Sequence, residues 1–136
     1  MSTIVSTSGV KTSRTFSNAN ITTTSSFNWV TISSNVSAIP NTGYFVIQGA
    51  SRLTITLPVT ASTGDIISIQ CIAQESSPLA AGFIVSCVST QQISVGATLK
   101  PLGVSIYTPY DGGEIQLIYN SSISTWIVSN MIGSFI

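Results

Sequence analysis

The sequence contains no histidine, and only eight of its 136 residues are charged, four basic and four acidic. That is 6% of the chain, against about 25% in an ordinary globular protein. Without histidine, the Ser–His and Cys–His nucleophile systems are excluded and the commonest metal ligand is missing. Two cysteines alone do not make a usual zinc site, so no metal is expected. No glycine-rich loop carries the lysine of a phosphate cradle, and nothing in the chain calls for a cofactor. So few Lys and Arg cannot neutralise a phosphate backbone, so no nucleic-acid partner is expected. The same scarcity argues against electrostatic membrane binding. No apolar run approaches the ~18 residues of a membrane-spanning helix, so no membrane insertion is expected. Residues 1–15 hold no apolar h-region, and no cleaved Sec signal is expected.

The polar positions are filled instead by Ser, Thr, Asn and Gln. Ser and Thr together make up roughly 30% of the chain, far above average usage. Both compete with the helix for backbone hydrogen bonds, whereas Thr, Val and Ile suit the pleated surface of a strand. Composition therefore predicts an all-β protein. The net charge is zero, and a neutral surface favours self-association.

Two regions are expected: a Ser/Thr-rich arm or linker over 1–27 and a β-sandwich head over 28–136. Within the head, Asn28–Ile32 is a strand with Trp29 as its large anchor. Asn41-Thr42-Gly43 reads as a turn. Arg52–Leu57 alternates, with Leu53, Ile55 and Leu57 on one face, and Glu114–Tyr119 alternates with Ile115, Leu117 and Tyr119 on one face. Gly64-Asp65 is a second turn, and Gln92–Val95 is a short strand ended by Gly96. Ile66–Ala73 and Phe83–Val88 are apolar on both faces, the mark of strands covered on two sides. Residues 97–112 are looser. About ten short strands separated by turn signals predict an antiparallel sandwich, jelly-roll-like. If 66–73 and 83–88 form a hairpin, Cys71 and Cys87 lie opposite one another. A disulfide and a pair of small buried thiols are both open, the second being favoured.

The stretch from Phe27 to Gly133 resembles a known family of head domains. Its members sit at the C-terminus of phage tail-fibre-like proteins, giant-virus fibre proteins and collagen-like surface proteins. The resemblance rests on an ordered set of motifs: Asn28-Trp29, Asn41-Thr42-Gly43-Tyr44, Ser51-Arg52-Leu53 through Leu57-Pro58, Gly64-Asp65, Gln92-Ile93-Ser94-Val95-Gly96 and Trp126-Ile127-Val128. Residues 74–82 (Gln-Glu-Ser-Ser-Pro-Leu-Ala-Ala-Gly) depart from it, where many relatives carry a Gly-rich Trp turn. The resemblance implies a homotrimeric, lectin-like or capping head on a virion or extracellular surface particle.

The function expected is therefore non-enzymatic: a trimeric fibre head binding a cell-surface glycan or receptor. A purely structural cap or trimerisation domain without a ligand is the alternative. An enzymatic role is disfavoured. Asp111 and Glu114 flank Gly112-Gly113 and resemble a glycosidase pair, but a hairpin turn followed by a strand accounts for them better. Asp65 reads as a turn residue. Candidate ligand-binding residues are Tyr107, Tyr110 and Asp111, rings and a carboxylate suited to a sugar. Candidate oligomer-interface residues are Arg52, Ile66, Ile72 and Ile84; Arg52 reads either as solvent-facing or cross-strand-paired, or as an intersubunit ion pair with Asp65.

Overall fold

The structure is a computed structural model, which describes residues 27–47, 51–72, 82–107, 113–133 and 135–136. Among the described residues every regular element is a strand: β1 (Asn28–Ile32), β2 (Val36–Ser37), β3 (Thr42–Ile47), β4 (Leu53–Thr56), β5 (Ile66–Ile72), β6 (Phe83–Ser86), β7 (Gln92–Val95), β8 (Thr98–Leu99), β9 (Ile106–Tyr107), β10 (Glu114–Asn120) and β11 (Thr125–Ile132). The all-β expectation holds. The loose stretch 97–112 contributes two strands the sequence did not mark, the two-residue β8 and β9.

Two sheets form, one of seven strands in the order β1-β3-β5-β10-β11-β7-β8 and one of four in the order β2-β4-β6-β9. From β1 to β6 the chain alternates between them. Consecutive strands of the same sheet, β1/β3, β3/β5, β2/β4 and β4/β6, therefore pair in parallel. Parallel neighbours need a crossover, and here the crossover is a strand of the opposite sheet rather than a helix. The chain winds as stacked coils. Antiparallel pairing enters later, where β10 joins β5 and β11. β7, itself parallel to β11, lies beyond that hairpin. The purely antiparallel, jelly-roll-like arrangement is thus corrected to mixed sheets. Alternation in a sequence reports which face is covered, not which way the neighbouring strand runs.

The inner faces of both sheets share one core. Ile67, Ile69, Ile93, Ile115, Leu117 and Trp126 come from the seven-stranded sheet, and Ile55, Phe83, Val85 and Ile106 from the other. Burying each such side chain contributes about 1.5–3 kcal/mol. The alternation read over Leu53–Leu57 and Glu114–Tyr119 points inward as expected, with Ile55, Leu57, Ile115, Leu117 and Tyr119 all buried.

Several local expectations are corrected. Thr42 and Gly43 lie inside β3, and the turn falls one step earlier, where Asn41 adopts a φ of 61°. Strands β5 and β6 belong to different sheets and form no hairpin, so Cys71 and Cys87 are not disulfide-bonded. Cys87 is buried and Cys71 packs against the core. Strands β9 and β10 also lie in different sheets; the turn expected at Asp111-Gly112 lies outside the described residues. Trp29 is not a core anchor, being 42% exposed, whereas Trp126 is wholly buried.

Candidate functional site

The sequence candidates fall on three surfaces. Tyr107 lies on β9, at one margin of the four-stranded sheet, with the Arg52 guanidinium 4.6 Å from its ring centroid. Such a contact contributes about 0.5–1 kcal/mol at a partly exposed site. Tyr107 also exchanges two backbone hydrogen bonds with Ile136, at 3.0 and 2.9 Å. Ile84 stands opposite Tyr107 in register, so Arg52, Ile84 and Tyr107 share the outer face of this sheet. Tyr110 and Asp111, the other two ligand candidates, lie outside the described residues. On the same face Asn35, Val36, Ser37, Thr54 and Thr56 line a shallow groove of about 200 Å³. The Asn35 side chain accepts the Thr54 amide there at 2.8 Å. The groove lining has hydroxyls but no ring and no titratable group.

Ile66 and Ile72 lie on the opposite side of the molecule, on the outer face of the seven-stranded sheet. They stand at the two ends of β5, about 20 Å apart at ~3.4 Å per residue, and so belong to separate patches. Ile66 pairs with Ile118, and Ile118 with Ile127, which makes an apolar ladder across three strands. Ile72 pairs with Ile47 at the other end. All five are at least half-buried except Ile127, which is exposed.

Between these apolar rows the same face carries two rows that are polar at their centre, on β5 and β10. One reads Trp29, Gly43, Ser68, Gln116, Asn130 across β1, β3, β5, β10 and β11. The next reads Thr31, Phe45, Gln70, Glu114, Ile132 across the same strands. Ser68, Gln70, Glu114 and Gln116 thus form a polar square on two central strands, each half-buried. One side of the square is walled by rings: Trp29 stacks on Phe45 at 4.5 Å with planes 20° apart, and Phe27 meets Trp29 edge-on at 5.7 Å. Gly43 makes this possible. A Cβ there would stand 2.4 Å from the indole, so the ring rests directly over the glycine backbone. On the other side β11 has a bulge between Val128 and Asn130, and the extra residue, Ser129, donates to Gln116 Oε1 at 3.1 Å. That bond orients the Gln116 amide.

This platform was missed in the sequence, although its signals were present: a tryptophan at an outward position of one strand and a glycine inside the next. Rings cover apolar ligand faces, and amides with a carboxylate take hydroxyl groups.

Other titratable groups have structural roles. Asp65 closes its turn as expected: Oδ2 accepts the Ser62 amide at 2.8 Å and Oδ1 accepts Asn41 Nδ2 at 3.2 Å. Burial pushes the Cys87 thiol up from its ordinary value, only partly offset by backbone hydrogen bonding. A raised value keeps it protonated and makes it a packing group rather than a nucleophile. Among the described residues no group of three or more Asp, Glu or Cys could hold a metal ion. Among them, too, no helix is long and apolar enough to cross a membrane. Neither a scan against protein-family models nor a search of curated proteins finds a match to this chain.

Proposed function

We propose that the chain is a non-enzymatic, homotrimeric head module that binds a saccharide of a cell surface, displayed on a virion or similar extracellular particle. The observation that carries the binding half is the solvent-facing Trp29–Phe45 stack beside the square of Ser68, Gln70, Glu114 and Gln116. A large exposed ring held in a fixed pose costs stability unless it has something to cover. Sugars present an apolar face to such a ring and hydroxyls to the groups around it. The platform replaces Tyr107 as the principal ligand contact, because the Tyr107 ring is already covered by Arg52. The assembling half is supported by the Ile66–Ile118–Ile127 ladder and by the motif resemblance to trimeric fibre heads.

The test is a glycan array with the wild-type protein and Trp29→Ala. Binding to one saccharide class that Trp29→Ala weakens by at least about tenfold, equal to 1.4 kcal/mol, is the expected result. An empty array with a stable oligomer would reassign the chain to a purely structural cap.

A further inference from the structure

We infer that the ligand is an extended, uncharged oligosaccharide laid across the strands, an inference that rests on the saccharide reading above. The direction follows from the order of rows. Along the strands the polar strip is closed at one end by Ile66–Ile118–Ile127 and at the other by Ile47–Ile72. Across the strands it stays open, from the rings on β1 and β3 through the square on β5 and β10 to Asn130 on β11. Five strands span four gaps of about 4.8 Å, or roughly 19 Å, more than a single sugar ring covers. The first ring of the ligand stacks on Trp29 and Phe45, the next lie over Gln70, Glu114 and Gln116, and the last reaches the exposed Asn130.

The charge preference follows from the only ionisable side chain of the two rows. Glu114 is half-buried beside Gln70, and neither row contains Lys or Arg. A carboxylate accepts hydroxyl hydrogens well, but an acidic sugar brought against it meets a like charge with no Lys or Arg in either row to compensate. Neutral chains are taken and acidic ones refused.

The experiment titrates the full chain with neutral gluco-oligosaccharides of one to five rings, and with counterparts bearing glucuronic acid. Affinity should rise by about tenfold or more between one ring and three to four, then level off. The acidic series should bind at least about tenfold more weakly, and Glu114→Gln should erase that discrimination. Asn130→Ala should weaken the longest ligands and leave the single ring unaffected. Trp29-dependent binding that ignores chain length, or that accepts both series equally, overturns this inference and leaves the saccharide reading standing. Absence of any saccharide binding, or dissociation of the oligomer by Trp29→Ala, overturns both, the second outcome assigning the strip to a second copy of the chain.

Discussion

Gln91 is a buried amide whose three side-chain hydrogen bonds join distant parts of the chain. Its Nε2 donates to the carbonyls of Pro58 and Val59 at 3.0 and 3.2 Å, and its Oε1 accepts Trp126 Nε1 at 3.2 Å. It therefore ties the segment after β4 to the largest buried residue of the other sheet. Truncation removes the partner of the Pro58 carbonyl and of the indole N–H in the core, and of the Val59 carbonyl at its margin, each buried loss costing about 1–3 kcal/mol when unrelieved. Gln91→Ala is expected to lower unfolding stability by roughly 2–4 kcal/mol, measured by urea denaturation, allowing for partial rescue by water. Nothing in the sequence marks Gln91, one glutamine of a Gln-Gln pair. A satisfied buried amide has no local pattern, because its partners lie more than thirty positions away. The two tryptophans illustrate the same limit. Trp29 and Trp126 both open strands with similar neighbours, and only the tertiary stacking of sheets decides that one is covered and the other is not.

At the scale of the element, β3 shows how closely strand chemistry controls the platform. Gly43 does not adopt a left-handed φ, so its backbone accepts an L side chain; the obstacle is Trp29 itself. Gly43→Ala should lift the indole from the sheet and weaken saccharide binding by about tenfold. Stability should change by less than about 1 kcal/mol, since alanine also removes the entropic cost of a glycine in a strand. Titration and a shift in tryptophan emission report the two effects separately. Strand existence was legible in the sequence. Leu53–Leu57 and Glu114–Tyr119 alternate with a period of two, and the structure covers the expected faces. Strand direction was not legible, nor was the turn at Asn41, because Asn-Thr-Gly satisfies turn chemistry one residue out of step with the actual bend. The expectation that Ile66–Ala73 is covered on both sides is met in part over the described residues 66–72: Ile67 and Ile69 are fully buried, whereas Ile66 and Ile72 on the outer face are half-buried.

For the whole molecule, the separation of the interface candidates matters more than their identity. Ile66 sits on the outer face of one sheet, and Ile84 and Arg52 on that of the other. A two-fold dimer joins the same patch to itself, whereas a closed ring joins two different patches on each protomer. The proposed trimer needs two different patches on each protomer, and these candidates would supply them if the rotation closes. In such a ring the Ile66–Ile118–Ile127 ladder would be covered, and the polar rows would begin about 7 Å further along the strands, at the rim. Light scattering after size exclusion should give about 43 kDa, three times the 14.2 kDa chain. Ile66→Asp and Ile84→Asp should each break the ring. Mixing the two variants should produce pairs, because each retains the patch the other has lost; a monomeric wild type would remove the trimer altogether.

The place of the β10–β11 hairpin also bears on how the protein is made. In the finished sheet it stands between β5 and β7, which precede it in the chain. As the polypeptide leaves the ribosome, β1 to β6 can stack as they emerge, but β7, paired with β8, has no link to the rest of the sheet until residues 114–132 follow. The seven-stranded sheet therefore remains split until residues 114–132 are made, so a nascent chain stalled before Glu114 exposes two strand edges at once.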